Sequence, residues 1–361
     1  MSFDTDSVPP RRRRGRAAGS NPAPRFLAES RTAFHDGWDL EEDLPPLRTE
    51  VREEVPRRVI TRNTSPDVGF DRSLNPYRGC EHGCIYCFAR PGHAFLDLSP
   101  GLDFETRLIA RPRAAERLAQ ELSKPDYSPR ALAIGTNTDA YQPVEAERRI
   151  MRGVLEVLRD FRHPVAIVTK GTLIERDLDI LSDMAAQGLA RVGVSVTTLD
   201  PAVARAMEPR VPSPARRLRT IRRLAEAGIP VRVMVSPIIP ALTDHEMEAI
   251  LEAGAEAGAQ AASSIVLRLP REVADLFRDW VAEAYPDRAA RIMARVRELH
   301  GGRDYDPAFG RRMTGQGPWA ALMRARFQIA CKRLGLARDL PELRCDLFRV
   351  PPRPGDQLSL F

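Results

Sequence analysis

Three of the five cysteines in this 361-residue chain fall within eight residues, in Cys80-Glu-His-Gly-Cys84-Ile-Tyr-Cys87. Soft thiolates at C-x3-C-x2-C spacing on one short loop suit an iron–sulfur cluster or a zinc ion. A closed zinc site needs a fourth ligand, and His82, His93, Cys331 and Cys345 all stand at unusual zinc spacings. A four-iron cluster on three cysteines leaves one iron open, as a catalytic metal site requires. Gly79 and Gly83 allow the backbone to wrap closely around such a group. Spacing alone leaves cluster, zinc and unliganded thiols open, in that order of preference.

Those cysteines need a scaffold, and the sequence supplies one. Short apolar or β-branched runs at 73–78, 131–136, 165–169, 192–197, 231–236 and 265–269 alternate with helical patterns at 113–122, 145–160, 175–187, 214–227, 244–257 and 272–284. Repeated βα units predict a parallel sheet. Six of them fall two short of a closed eightfold barrel, so the expected fold class is α/β, a partial (β/α)6 TIM-like barrel. Active sites of such folds form at the carboxyl ends of the strands. The cysteine loop follows the first strand, and polar residues collect at the other strand ends.

The expected organisation is a disordered basic arm (1–30), an acidic linker or flap (31–69), the barrel (70–285), a helical C-terminal extension (286–349) and a Pro-rich linker with a short tail (350–361). Arg11–Arg14 mark the arm, and eight acids against two arginines mark residues 35–54. The net charge of +6 permits a polyanionic partner without requiring one. With no long apolar run and no apolar leader, a membrane-spanning helix is excluded and a cytoplasmic location is expected. No Ser/His/Asp elbow, P-loop or dinucleotide fingerprint is present.

The cysteine spacing with Tyr86 before the third cysteine and a βα barrel behind it resembles the radical S-adenosylmethionine (radical SAM) superfamily. Asn75-Pro-Tyr-Arg-Gly-Cys80, Cys87-Phe-Ala-Arg90 and Thr138-Asp139-Ala-Tyr141-Gln142-Pro143-Val-Glu145 resemble its spore photolyase-like branch, over about residues 55–350. The resemblance implies a 4Fe–4S cluster on Cys80, Cys84 and Cys87 whose open iron chelates SAM. An external electron donor then drives cleavage of SAM to methionine and a 5′-deoxyadenosyl radical, which takes hydrogen from the substrate. It also implies cofactor contacts from Tyr86, from Gly135, Thr136, Asn137 and Thr138 at the second strand end, from Lys170 and Ser195, and from Ser236. The Gly-Gly-Glu turn frequent in the superfamily is replaced here by Gly135-Thr-Asn-Thr138.

Spore photolyases return hydrogen through a cysteine between the cluster motif and mid-barrel, and this chain has none between Cys87 and Cys331. That departure argues against repair of the thymine photoproduct by the same route. Tyr141 and Cys331 are the candidates for a catalytic hydrogen relay. The chain ends Gln357-Leu358-Ser359-Leu360-Phe361, which resembles the pentapeptide that binds the bacterial sliding clamp: Gln357 anchors by hydrogen bonds, and Leu358, Leu360 and Phe361 fill an apolar groove. The expected function is radical SAM chemistry on nucleic acid, DNA repair or modification, with DNA and the sliding clamp as partners. The alternatives are radical modification of a protein or small molecule, and a zinc-stabilised, non-catalytic DNA adaptor.

Overall fold

The computed structural model describes residues 15–27 and 47–352. Arg11–Arg14, the acidic residues 28–46 and the clamp-like tail with Gln357, Leu358, Leu360 and Phe361 lie outside the described residues.

Among the described residues ten strands are formed: β1 (Glu50–Glu53), β2 (Ile60–Arg62), β3 (Arg72–Leu74), β4 (Tyr77–Arg78), β5 (Arg107–Ala110), β6 (Leu132–Ile134), β7 (Val165–Thr169), β8 (Ala190–Ser195), β9 (Val231–Ile238) and β10 (Ala261–Val266). The main sheet runs β10-β9-β8-β7-β6-β3-β2, in which β3 and β6 to β10 are parallel and β2 is an antiparallel edge. The six parallel strands lie in chain order, so each crossover steps the same way and the sheet curls into a partial barrel.

Each crossover carries helix. The helices are α1 (Leu102–Thr106), α2 (Ala114–Leu122), α3 (Glu145–Arg148), α4 (Ile150–Asp160), α5 (Leu178–Ala186), α6 (Pro201–Met207), α7 (Pro214–Glu226), α8 (Met247–Glu256), α9 (Glu272–Ala284), α10 (Pro286–Leu299) and α11 (Gly317–Leu334). Helix starts follow local chemistry. Asp200 accepts from the amides of Ala202 and Val203, Ser213 accepts from Arg216, and a proline opens each of those helices. In α4, Ile150, Met151, Val154, Leu155 and Leu158 form one buried face, each contributing about 1.5–3 kcal/mol on burial.

Four features depart from the sequence reading. The expected first strand breaks after Leu74, because Pro76 has no amide to continue the ladder. Tyr77–Arg78 pairs instead with β5, and β1-β5-β4 forms a small second sheet. The last strand starts at Ala261, earlier than 265, because Ala261-Ala262-Ser263-Ser264 lacks the β-branched signal. Residues 15–27, expected to be disordered, pack onto the cysteine loop, and Ala17 and Ala18 are buried. The stretch expected to be only linker or flap contains β1 and β2.

Residues 336–349 run as a strap beneath the amino ends of the strands. Ala337 pairs with Gln260 and Ala262, Arg232 donates to the Arg338 carbonyl at 2.8 Å, Arg191 to that of Pro341 at 3.2 Å, and Arg344 N to Gly188 O at 3.0 Å. Phe348 then meets Tyr127, Phe161 and His163. In His163, Nδ1 donates to the Pro164 carbonyl at 3.0 Å and Nε2 accepts from the Tyr127 hydroxyl at 2.7 Å. The neutral ring satisfies both bonds, and burial lowers its pKa to about 4. An unfolded histidine titrates near 6.5, so between pH 6.5 and 4 the unfolded chain binds a proton that the native ring refuses. Stability is therefore lost as pH falls through that window, by about 3 kcal/mol. Urea unfolding at pH 7 and pH 4.5 should show a fall in wild type larger by about that amount than in His163→Asn. Equal falls would contradict this account of the ring.

Candidate active site

The cysteine loop leaves β3 and β4 at the carboxyl edge of the sheet and is shaped by two glycines. Gly79 (φ +74°) and Gly83 (φ +64°) adopt a backbone that side chains resist. A Cβ on Gly79 would meet Leu108 at 2.7 Å, and one on Gly83 would meet the Glu105 carboxylate at 2.7 Å.

Behind the loop lies Arg90, fully buried. Its guanidinium donates to the carbonyls of Gly83 (2.9 Å), Cys84 (3.0 Å), Pro100 (3.1 Å) and Gly101 (2.9 Å), and to Glu105 at 2.6 Å. Glu105 also accepts the amides of Ala17 (3.1 Å) and Ala18 (3.0 Å), which is why the N-terminal segment is ordered there. On the other side Gln142 accepts from Glu81 N at 2.8 Å and donates to Gly79 O at 3.2 Å. The loop is thus fixed from both flanks. His93 is buried against it, with Nε2 3.0 Å from the Arg107 carbonyl, and burial lowers its pKa to about 4.

His82, weighed from the sequence as a fourth zinc ligand and otherwise expected to be exposed between the cysteines, is instead buried and lies 3.3 Å from Asp139. Asp139 also accepts from Thr169 Oγ1 (2.7 Å), Lys170 N (2.7 Å) and Tyr141 N (2.9 Å). Burial alone would raise its carboxyl, but His82 and these donors hold it down at about 2. Asp139 therefore ties the cysteine loop to the end of β7.

A second polar group lies across the loop at the end of β8. The Tyr86 hydroxyl donates to Glu208, which also accepts from Thr197 Oγ1 at 3.0 Å and pairs with Arg217 at 2.9 Å. Arg217 donates in turn to the Ser195 carbonyl at 2.9 Å. Lys170 Nζ lies 5.8 Å from the Tyr86 ring. Burial works against its ammonium, but the nearby Cys84 sulfur and Glu208 carboxylate more than offset this and raise its pKa. The fold brings together Tyr86, Lys170 and Ser195, which the sequence named as candidates, with Glu208 and Arg217, which it did not; Glu105 and Arg90 behind the loop were likewise not named. Arg90 was visible only as part of a motif, and the others carry no local spacing signal.

The strand register places Ser195, Met234 and Ser263 in one row on the concave face, with Ser236 two residues beyond Met234. The Ser236 and Ser263 hydroxyls are buried without a hydrogen-bond partner, an arrangement that calls for one from a bound group. Gly135 (φ +80°) brings its backbone so near β7 that a Cβ would lie 2.0 Å from the Val168 carbonyl. Thr138 is buried and donates to the Tyr77 carbonyl at 2.8 Å. Asn137 is exposed and Thr136 half-buried at the rim.

The two candidate relay residues are not brought into this group. Tyr141 sits in the main core and donates to Asp177 at 3.1 Å. Cys331 is near the lower end of α11, which descends to the strap at the amino ends of the strands, and Cys345 is in the strap itself. Neither remaining cysteine reaches the barrel mouth.

The donors present fit a cluster and its cofactor. Three thiols share a loop that two glycines let pack closely against Leu108 and Glu105, two cations lie near Tyr86, and two buried hydroxyls await partners. Burial pushes the Cys80 and Cys84 thiols up, so a cationic metal group is needed to keep them as thiolates. Among the described residues no three His, Cys, Asp or Glu side chains converge on a single-ion site. A cluster, which spreads its thiolates over separate irons, does not require such convergence.

Fold and loop together define a class, parallel partial barrels with a three-cysteine loop at the carboxyl edge of the sheet. A family model described as the radical SAM superfamily matches residues 74–254. The chain belongs to that superfamily, and membership implies an enzyme with a 4Fe–4S cluster and SAM. Uncharacterized proteins of Mycobacterium tuberculosis and Mycobacterium bovis are 38% identical over 246 residues, covering 68% of this chain and 71% of theirs. One from Methanocaldococcus jannaschii is 27% identical over 173 residues, 48% of this chain and 62% of its own. Among solved structures, spore photoproduct lyase complexed with dinucleoside spore photoproduct is similar in fold, with TM-score 0.58, 15% identity, and coverage of 79% of this chain and 80% of that one.

Proposed function

We propose that this chain is a radical SAM enzyme acting on nucleic acid, in DNA repair or modification, in the cytoplasm. The observation that carries the reading is the cysteine loop opening on a concave face with a half-buried lysine and unpartnered hydroxyls. When bound, cluster and SAM supply a 5′-deoxyadenosyl radical, made with one electron from an external donor, that abstracts hydrogen from the substrate. Cys80, Cys84 and Cys87 hold the cluster. Tyr86, fixed by Glu208, would offer its ring to the cofactor's adenine, and the Lys170 ammonium would pair with its carboxylate. Ser195 and Ser236 contribute further cofactor contacts, with Thr136 and Asn137 at the rim. The walls exclude water and quenchers.

The nucleic-acid target is supported by the fold neighbour that binds a dinucleoside photoproduct and by the clamp-like tail. Both cysteines outside the loop lie at the far end of the barrel, so hydrogen return by a cysteine of this chain forms no part of the proposal. Among the described residues no helix is long and apolar enough to cross a membrane.

Lys170→Met is expected to weaken SAM binding on the order of 10-fold or more, with Lys170→Arg keeping part of it, read by equilibrium dialysis of reconstituted protein. Unchanged affinity in Lys170→Met would remove the carboxylate role. Deleting residues 357–361 should abolish retention on immobilised sliding clamp, and full retention would refute that partner. The enzyme reading itself is tested by anaerobic reconstitution with iron and sulfide. Visible charge-transfer absorption and release of 5′-deoxyadenosine after reduction are expected. A colourless protein that binds zinc and leaves SAM intact would favour an adaptor.

A further inference from the structure

Phe88 and Phe309 are among the phenylalanines left in solvent. Phe88, directly after Cys87, is 44% exposed and Phe309 is 60% exposed. Each is covered on one side by an arginine. Arg268 lies 4.3 Å from the Phe88 ring centroid and Arg312 lies 4.6 Å from that of Phe309. Arg312 is anchored, since its guanidinium pairs with Asp67 and donates to Ser65 Oγ at 2.5 Å, while Asp67 also accepts Gly310 N at 2.7 Å. Arg268, just beyond β10 at the same carboxyl edge, is different. It is half-buried and makes no hydrogen bond or ion pair among the described residues. Burial lowers its pKa, and it feels the charges of Tyr305, Arg312, Cys87 and Asp67, so both pairs share one neighbourhood beside the loop.

We propose that Phe88–Arg268 and Phe309–Arg312 form a stacking platform for unpaired nucleotides at the mouth of the site. An arginine over one face of each ring steadies it and leaves the rest of the ring to a base, and any base has a π-face to offer. A half-buried guanidinium without a carboxylate partner has its charge matched by a phosphate. A duplex keeps its bases inside the stack and presents no free face, so the platform selects single-stranded or extruded nucleotides. This inference rests on the nucleic-acid reading above and adds the form of the substrate and the residues that hold it.

Fluorescence anisotropy with a labelled single-stranded DNA 15-mer and its duplex, on reconstituted full-length chain at matched iron content, tests it. The single strand should bind at least about 10-fold tighter than the duplex. Phe88→Ala and Phe309→Ala should each weaken it on the order of 10-fold, and Phe309→Tyr should restore it. Arg268→Gln should weaken binding and flatten its salt dependence. Phe88 neighbours Cys87, so Phe309 decides the matter if Phe88→Ala loses iron. Equal binding of single strand and duplex, or wild-type binding in Phe309→Ala, overturns the platform alone. A chain that binds neither DNA form overturns both the platform and the nucleic-acid reading.

Discussion

Cys84→Ala is expected to lose the visible absorption of the reconstituted protein and to reduce SAM cleavage by at least about 10³-fold. Three thiolates are the whole protein ligand set of the proposed cluster, so removing one leaves two irons open and the group is lost rather than weakened. Cys84 is also the most embedded of the three in its effect on neighbours. It is buried, its carbonyl accepts from Arg90, and its sulfur lies near the Lys170 ammonium, whose pKa a thiolate there raises. Cys345→Ser, in the strap at the opposite end, should leave iron content and SAM cleavage as in wild type. Iron analysis, absorption spectra and chromatography of 5′-deoxyadenosine check both variants. Retained cleavage in Cys84→Ala would remove the cluster assignment.

The second large effect concerns folding of the loop. Arg90→Met is expected to destabilise the protein by about 3–5 kcal/mol, because Glu105 is left buried and unpaired, against a typical total stability of about 5–15 kcal/mol. Methionine keeps the apolar stem but satisfies none of the four loop carbonyls that Arg90 holds. The urea midpoint should fall accordingly, and residues 15–20 should become accessible to protease, since Glu105 is also their anchor. Arg90→Met with Glu105→Met should recover part of the loss, because no lone charge remains buried. An unchanged midpoint in the single variant would show that the buried knot does not hold the loop.

The barrel was legible because its signals are local. Val165–Thr169 alternates between helix-facing and concave positions, and Pro214–Glu226 begins at a serine–proline cap. Pro76 interrupts the first strand within an otherwise strand-like run, and the second sheet it creates depends on β5, about thirty residues further on. The cysteine loop could be read from spacing, and Tyr86 and Lys170 were named from the resemblance that its motif carries. Glu208 and Arg217 could not, since they meet Tyr86 only after α6 and α7 fold back over β8. The same holds for Glu105 and the N-terminal segment. A basic, Gly- and Pro-containing stretch looks disordered until a buried carboxylate 88 residues away accepts the Ala17 amide. Tyr141 and Cys331 show the reverse error, residues of suitable chemistry that packing carries elsewhere. Tyr141 spends its hydroxyl on Asp177, and Cys331 rides on α11 to the wrong end of the barrel.

Transfer of hydrogen from the substrate is the step that unites cluster, cofactor and nucleic acid, and it can be read directly. Reduced, reconstituted protein is incubated anaerobically with SAM and single-stranded DNA built from deuterated nucleotides, and the 5′-deoxyadenosine formed is analysed by mass spectrometry. Deuterium in the 5′-deoxyadenosine is the expected result. Production of 5′-deoxyadenosine that carries no deuterium from any of the DNA substrates would contradict the nucleic-acid assignment.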